Sequence, residues 1–176
     1  MAMALILDQS QIAGAVRDLA EQITAAHPEG TLHLVGIRSR GDEVAERLRD
    51  LLVAAGREVE LGILDISLYR DDLAHLHENP KLQGSEITFP VDDTRLILVD
   101  DVLFTGRTIR AALDALTDYG RPGAVELAVL IDRGHRELPI EPRYTGKKLQ
   151  TARLDHVHVK LLKTDGEDSV ELVENR

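Results

Sequence analysis

Two adjacent carboxylates near the middle of the chain are the side chains best suited to chemistry. Asp100 and Asp101 directly follow the apolar run from Leu96 to Val99, which is typical of a buried strand. Ligands of open α/β sheets bind at the carboxyl ends of such strands. Carboxylate oxygens placed there can bind a sugar diol or a metal ion. Taken alone, the pair is also compatible with the start of an ordinary loop.

A turn that suits a phosphate group follows the acidic pair. Thr105, Gly106, Arg107 and Thr108 stand where a helix is predicted to begin, and such a turn presents unpaired backbone N–H groups and the positive end of the helix dipole. Thr-Gly turns without a ligand are common. However, folding alone gives no reason to place two repelling carboxylates before such a turn. The order of apolar strand, two acids and Thr-Gly-x-Thr resembles the phosphoribosyl pyrophosphate (PRPP) signature of type I phosphoribosyltransferases.

Two further predicted strand ends carry polar residues that fit the same site. Arg38, Ser39, Arg40 and Gly41 form a glycine-flanked turn after the apolar residues 34–37, and guanidinium groups with turn amides suit a pyrophosphate. A solvated loop is the alternative for this turn. A polar cluster follows the apolar residues 127–131, and it is either a charged surface loop or the base-binding side of the site. The candidate base-binding residues are Ile131, at the end of the apolar run, and Asp132, Arg133, His135 and Arg136.

The surrounding pattern alternates strands and helices. The first predicted helix is capped by Ser10 and has the apolar residues Ile12, Val16, Leu19 and Ile23. The second ends at Gly56, and its inner residues are Val44, Leu48, Leu51, Leu52 and Ala55. The third runs from Arg107 to Tyr119 and buries Ile109, Leu113 and Leu116. The predicted strands are Leu32 to Ile37, about Val59 to Leu68, the central strand, Val125 to Ile131, a half-exposed strand at residues 157–161, and Val170 to Val173, which Asp165-Gly166 joins as a hairpin.

This order predicts an α/β fold with a doubly wound, mainly parallel sheet and a C-terminal β-hairpin in one domain, residues 1–176. A long polar excursion at about residues 70–86 predicts a flexible lid, with Tyr69, Arg70, Asp71 and Asp72 as its first residues. His156 and His158 alternate on one strand face, so we expect them to face solvent rather than to bind a metal.

Composition narrows the class of protein. The 176 residues are 43% hydrophobic and 30% charged, as is ordinary for a globular protein, and they include no cysteine, so thiol chemistry is excluded. The N-terminal segment has no basic region and only a short apolar run, so we expect a cytoplasmic protein without a membrane segment. A net charge of −10 disfavours general nucleic-acid binding. A polyanionic substrate must therefore meet a local basic patch.

Longer matching stretches of sequence restrict the resemblance to one family. The chain resembles the PyrR family, whose members are pyrimidine-operon attenuators and uracil phosphoribosyltransferases, and the matching stretches extend over nearly its whole length. They are LVGIRSRG (34–41), DISLYRDDL (65–73), LVDDVLFTGRTIRA (98–111), YGRP (119–122) and LIDRGHRELPI (130–140), followed by Gly146, Lys147, Lys148 and Thr151. The stretch from 130 to 140 separates this family from hypoxanthine and orotate enzymes.

The resemblance implies a Mg²⁺-dependent reaction of uracil with PRPP that gives UMP and pyrophosphate. Asp100 and Asp101 would contact the ribose hydroxyls, directly or through the metal shell. Arg38, Ser39 and Arg40 would hold pyrophosphate, with a non-proline cis peptide as in other members. The residues implied in PRPP and phosphate binding are Val102, Leu103, Phe104, Thr105, Gly106, Arg107, Thr108, Ser39 and Gly41. Relatives assemble as dimers or tetramers, so a homo-oligomer is expected.

Two alternative functions remain beside the uracil enzyme. One is an RNA-binding regulator of leader mRNA that uses UMP or UTP as its effector, and the other is a phosphoribosyltransferase for another base. Family members hold RNA on a basic face built partly from the first helix and from the segment after residue 140. Here that face carries Asp18, Glu21 and Glu141, which oppose phosphates. A smaller basic patch could still come from Arg143, Lys147, Lys148 and Arg153. We therefore expect the enzyme activity to persist and RNA binding to be weak or lost.

Overall fold

The computed structural model describes residues 2–72 and 84–175. Its larger sheet is parallel, with strand order β3-β2-β4-β5-β6. Its strands are β2 (Leu32–Ile37), β3 (Val59–Leu64), β4 (Arg95–Leu103), β5 (Ala124–Asp132) and β6 (Tyr144–Lys148). β4 lies in the middle, so the carboxyl end of the strand that carries both aspartates is flanked on either side by neighbouring strands.

A smaller antiparallel sheet has the order β1-β8-β7. It consists of β1 (Met3–Leu7), β7 (His156–Lys160) and β8 (Ser169–Val173), and the short helix α4 (Leu162–Asp165) connects β7 to β8. The predicted pairing of the two C-terminal strands is confirmed. However, Asp165-Gly166 ends a helical turn, with Gly166 at φ 81°, instead of forming a two-residue hairpin.

Helices cover both faces of the parallel sheet, as expected for a doubly wound fold. The helices α1 (Gln9–Ala26) and α2 (Gly41–Ala54) share a core cluster with Ile97 and Val99. The helix α3 (Arg107–Leu116) shares the other cluster with Leu96 and Leu98. Successive residues of β4 therefore point to opposite faces, and both faces are buried.

Several predicted element ends need correction. α1 is capped by Asp8 instead of Ser10, because Asp8 and Gln11 exchange side-chain-to-backbone hydrogen bonds of 2.8 and 2.9 Å in a capping box. β3 ends at Leu64, four residues early, because the chain then turns through a 3-10 helix at Ser67–Tyr69. α3 ends at Leu116 instead of residue 119.

Two predicted core leucines are exposed. Leu51 on α2 is 36% exposed and Leu113 on α3 is 39% exposed. The buried face of α3 is centred on small residues, Ala112 and Ala115, so Leu113 lies at its flank. β1 and β6 were not predicted. β6 is an edge strand, and its sequence, Tyr-Thr-Gly-Lys-Lys, carries no apolar alternation. In the part of the chain that the structure describes, no helix is long and apolar enough to cross a membrane.

Close packing of α2 on β4 positions the site. A Cβ atom on Gly41 would lie 2.5 Å from the carbonyl oxygen of Val99 and 3.0 Å from the Cα of Asp100. A Cβ on Gly36 of β2 would lie 2.6 Å from the Cα of Asp42. Glycine at these two positions lets the start of α2 reach the strand ends. The turn before α2 is thereby held directly above the acidic pair.

We expect Gly41→Ala to lower the free energy of unfolding by about 1 to 3 kcal/mol, because the methyl group meets backbone that cannot rotate away. Gly14→Ala is the control, since its Cβ would meet nothing nearer than the end of Arg17 at 3.6 Å. In the interior of α1 that change should raise the free energy of unfolding by about 0.5 to 1 kcal/mol. Urea denaturation measures both. Equal stability of the Gly41→Ala protein and the wild type would contradict the packing argument.

Candidate active site

A cleft of about 400 Å³ opens at the carboxyl ends of β2, β3 and β4. The four side chains predicted to be catalytic, Arg38, Arg40, Asp100 and Asp101, all line it. The other lining residues are Ile37, Ser39, Asp65, Ile66, Ser67, Arg70, Val102 and Thr108. Residues separated by up to 71 positions thus come together where the sheet topology places its strand ends.

The acidic pair lies at the floor of the cleft. Asp100 and Asp101 belong to β4 itself, which ends at Leu103, and do not follow the strand as predicted. Asp100 is 4% exposed, and its Oδ1 accepts a hydrogen bond of 2.9 Å from the backbone N–H of Asp101. Burial, followed by repulsion from Asp101, raises the pKa of Asp100 well above its ordinary value. Burial also raises the pKa of Asp101, although nearby Arg40 opposes that rise. The pair is therefore poised to gain a cation or a hydrogen-bond donor.

The turn that is predicted to bind phosphate, residues 105–108, stands directly at the start of α3, as expected. Gly106 is the N-cap residue of α3, and it adopts a left-handed conformation, φ 94°, with no side chain to cap the helix. The start of α3 lines an adjacent cavity of about 370 Å³, and Arg107 N–H donates to Thr105 Oγ1 at 3.3 Å. The first N–H groups of a helix have no intrahelical acceptor and favour an anion. That cavity is lined by Arg70, Asp71, Asp72, Phe104, Thr105, Arg107 and Thr108. Thr108 and Arg70 border both cavities.

The segment after β5 holds this turn from behind. The carbonyl oxygen of Thr105 accepts hydrogen bonds from Glu137 N–H at 2.9 Å and from Leu138 N–H at 3.1 Å. Arg136 donates to the carbonyl oxygen of Phe104 at 3.1 Å. These contacts hold the backbone of the turn in place through the carbonyl oxygens of two of its residues.

The arginine turn shows the expected non-proline cis peptide, between Arg38 and Ser39. Arg38 Nε donates to the carbonyl oxygen of Gly84 at 3.1 Å. The guanidinium of Arg40 forms two hydrogen bonds with Asp165, at 2.8 and 3.0 Å. Both side chains thus bind to segments that are distant in sequence, and the turn is fixed over the acidic pair.

The polar cluster at the end of β5 lies beside the Thr-Gly turn at residues 105–108, but its side chains bind within the protein. Arg133 donates to the carbonyl oxygens of Ala152 and Asp155, at 3.0 and 2.6 Å, and its guanidinium lies 3.9 Å from the ring centre of Phe104. His135 bonds the carbonyl oxygen of Thr151 at 2.6 Å. Among the described residues, those lining the 400 Å³ cleft do not include Ile131, Asp132, Arg133, His135 or Arg136. Base binding by this segment stays a prediction.

Asp132 stabilises the segment that follows it. It accepts hydrogen bonds from Arg136 at 2.8 Å and from the backbone N–H of Gly134 at 3.0 Å. Burial alone would raise the pKa of Asp132, but these two bonds outweigh burial and leave the pKa below its ordinary value. Asp132 is consequently held ionised.

The start of the expected lid contacts the Thr-Gly turn at residues 105–108. Asp71 pairs with Arg107 at 2.8 Å, Arg70 pairs with Asp72 at 2.6 Å, and Tyr69 packs against the core cluster that includes α3. Most of the expected lid, residues 73–83, lies outside the described residues. The described base of the excursion is held by Asp65, which accepts a hydrogen bond from Gly84 N–H at 3.1 Å.

Sequence reasoning missed two residues that shape the site. Asp65 follows β3 and accepts hydrogen bonds from Ser67 N–H and Oγ at 2.9 and 2.6 Å, so a third strand contributes a carboxylate to the cleft. The rule that selected Asp100, an acid at the end of an apolar strand, applies equally to Asp65. No local sequence pattern connects Asp165 to the site, because its partner Arg40 lies 125 positions away.

Comparison with known proteins agrees with this architecture. Residues 4–164 match the phosphoribosyl transferase domain model. A hypoxanthine-guanine phosphoribosyltransferase from Bacillus anthracis superposes with a TM-score of 0.73 over 97% of this chain and 98% of that chain, at 15% identity. The hypoxanthine phosphoribosyltransferase of Trypanosoma cruzi gives 0.72 over 98% and 97%, at 14% identity. Such low identity supports a common fold alone, and that fold is the type I phosphoribosyltransferase fold.

Sequence relatives identify the group within this class. Bifunctional protein PyrR of Acetivibrio thermocellus is 50% identical over 167 residues, which cover 94% of this chain and 91% of the relative. The protein of the same name from Akkermansia muciniphila is 51% identical over 166 residues, 94% of this chain and 93% of the relative. The chain belongs to the PyrR family.

The buried acid pair predicts a stability effect with a definite sign. The pKa of Asp100 is higher in the folded chain than in the unfolded chain, so stability decreases as the pH rises from the ordinary carboxylate pKa through the raised one. In metal-free buffer at neutral pH, Asp100→Asn should raise the free energy of unfolding by about 1 to 3 kcal/mol, since the amide still accepts from Asp101 N–H.

Chemical denaturation at several pH values measures this effect. Asp114→Asn, on the exposed side of α3, is the control and should leave stability unchanged within about 0.5 kcal/mol. A destabilised Asp100→Asn protein at neutral pH would show that the carboxylate is satisfied without a cation.

Proposed function

We propose that this protein is a uracil phosphoribosyltransferase, which converts uracil and PRPP into UMP and pyrophosphate. One observation carries the proposal: the buried acidic pair lies between an arginine turn and a phosphate-binding turn on the same edge of the sheet. Those three groups match the diol, pyrophosphate and 5′-phosphate of one PRPP molecule. Membership of the PyrR family supports uracil as the base.

Each group of PRPP has a physically suited partner. The N–H groups of residues 105–108 and the positive end of α3 would bind the 5′-phosphate. The carboxylates of Asp100 and Asp101 would accept hydrogen bonds from the ribose hydroxyls. Arg38, Ser39 and Arg40 would bind pyrophosphate through guanidinium and backbone N–H groups. The anomeric carbon would then lie over the cleft, open to the base.

The carboxylates also fit Mg²⁺. Mg²⁺ is usually held by one or two carboxylates together with substrate oxygens and water. Within residues 2–72 and 84–175, no group of three or more His, Cys, Asp or Glu side chains converges to enclose an ion. Asp100 and Asp101 would therefore hold an ion that PRPP shares, directly or through water. When bound, Mg²⁺ would neutralise charge that develops on the leaving pyrophosphate.

The protein's part in the reaction is electrostatic and positional. As the bond between the anomeric carbon and pyrophosphate breaks, positive charge develops on the ribose and negative charge on the leaving group. Asp100 and Asp101 stabilise the first, and Arg38 and Arg40 stabilise the second. Uracil N1 forms the new bond to the anomeric carbon as pyrophosphate leaves, and the N1 proton passes to water. Because the base itself is the nucleophile, no covalent intermediate with a side chain is needed.

The double variant Asp100→Asn, Asp101→Asn tests the site. We expect it to fold, since amides replace carboxylates of the same size. The rate of UMP formation should fall more than about a hundredfold, because the electrostatic contribution of the pair is lost. Radiolabelled uracil with PRPP and Mg²⁺ measures the activity, and circular dichroism checks the fold. Turnover at the wild-type rate would refute the site assignment, and a wild type that accepts hypoxanthine or orotate but not uracil would refute the proposed base.

RNA binding is a separate part of the proposed function, and we propose that it is weak in this chain. Of the basic residues near the predicted face, Arg143 pairs with Glu126 and Arg153 pairs with Glu137. The side chain of Glu141 is 75% exposed and 3.6 Å from Arg136. These carboxylates compensate cations that would otherwise neutralise phosphates. Assembly as a dimer or tetramer is proposed from the family resemblance.

A gel-shift titration with the upstream leader RNA of the gene, at physiological salt and with UMP, measures this binding. We expect no specific complex at nanomolar protein concentration, whereas Glu141→Lys should bind more tightly because an opposing charge becomes a favourable one. A nanomolar, sequence-specific complex with the wild type would show that the acidic residues do not weaken RNA recognition.

A further inference from the structure

A network of ion pairs joins the smaller sheet to the cleft. Glu43, near the start of α2, is 5% exposed and accepts hydrogen bonds from Thr164 N–H and Oγ1, both at 3.0 Å, and from Lys163 N–H at 3.2 Å. Arg47 pairs with Asp168 at 2.7 Å. α4 and the loop before β8 are therefore fixed against the beginning of α2, beside the arginine turn.

One member of this network contacts a residue of the cleft. Asp165 Oδ1 accepts from Arg40 Nη2 at 2.8 Å, and Oδ2 accepts from Arg40 Nε at 3.0 Å and from the backbone N–H of Leu161 at 2.8 Å. The side chain of Asp165 is only 17% exposed. A bidentate pair of this kind fixes both the position and the plane of the guanidinium.

Arg40 has reason to need such a partner. Its φ of 75° lies in the left-handed region, which arginine rarely adopts, so the surrounding contacts must offset the strain. Its guanidinium also attracts the nearby carboxylate of Asp101. Without Asp165, Arg40 would be drawn toward Asp101 and would neutralise the group proposed to face the ribose and the metal.

We infer that Asp165 is a positioning residue for the reaction: it holds the guanidinium of Arg40 away from the acidic pair and presents it to the pyrophosphate group of PRPP. This inference rests on the proposed function. Asp165 uses two of the five N–H groups of arginine and leaves three for the anion. The smaller sheet thereby contributes to PRPP binding without touching it.

Asp165→Asn tests the inference, because the amide can still accept from Leu161 N–H but loses its charge and one contact to Arg40. We expect the KM for PRPP to rise about tenfold, with the kcat and the KM for uracil changed less than about threefold. Asp168→Asn is the matched control, since it breaks a neighbouring bidentate pair, between the loop before β8 and α2, that involves no cleft residue. It should leave all three constants near the wild-type values.

A double-mutant cycle shows whether Asp165 acts through Arg40. In an Arg40→Ala background, Asp165→Asn should change the KM for PRPP no further. Equal effects of Asp165→Asn and Asp168→Asn, or additive effects with Arg40→Ala, would overturn the inference and leave only a structural role. If Asp165→Asn does not fold, Asp165→Glu keeps the charge but shifts the carboxylate by one methylene, and an unchanged KM for PRPP there would overturn the inference equally.

Calorimetric titration with Mg²⁺-pyrophosphate separates this inference from the proposed function. Asp165→Asn should weaken pyrophosphate binding about tenfold relative to Asp168→Asn, whatever base the enzyme uses. A wild type that forms no UMP but shows this difference would refute the uracil reaction and keep the role of Asp165. A wild type that forms UMP without the difference in binding or KM would refute the role of Asp165 alone.

Discussion

Two carboxylates held together in a buried position are the constraint on which the rest of the site depends. Asp100 is 4% exposed and adjoins Asp101, so burial and the neighbouring carboxylate both raise the free energy of its charged form, and burial does the same for Asp101. A protein selected only for stability would not keep such a pair. Its position is explained by what it can bind, since a sugar diol or a cation relieves the repulsion. The ligand-free protein is less stable than it would be without the pair, because the site is already assembled before a ligand binds.

Close backbone packing then decides which groups face the pair. Because Gly41 has no side chain, α2 begins directly against Val99 and Asp100, and the turn that precedes α2 must cross above the carboxylates. Gly106 has the corresponding role on the other side, where its left-handed conformation directs the chain from β4 into α3. The arginine turn and the Thr-Gly turn at residues 105–108 are thus positioned by two glycines, Gly41 and Gly106.

The sequence was sufficient for the parts of the site that follow from local pattern. A buried strand ending in acids, a Thr-Gly turn before a helix and an arginine turn are each encoded within about ten residues. What could not be predicted depends on contacts between distant segments. Arg133 and Arg136, which are predicted to lie on the base-binding side, also donate to carbonyl oxygens within the protein, and Asp165 meets Arg40 across 125 positions. Residue type alone does not distinguish an arginine that binds a ligand from one that braces a loop.

The pairing of arginines with carboxylates explains how a chain with a net charge of −10 could bind a polyanion selectively. Around the cleft, Arg40 is held by Asp165, and Arg107 by Asp71 and Glu137. Each pair fixes the direction of a guanidinium before any ligand arrives, which lowers the ordering cost of binding. Each pair also reduces the long-range positive potential, so an anion gains little by approaching the surface elsewhere. An anion that reaches all of these arginines at once gains the most, and PRPP, which carries phosphates at both ends of a diol, has that shape.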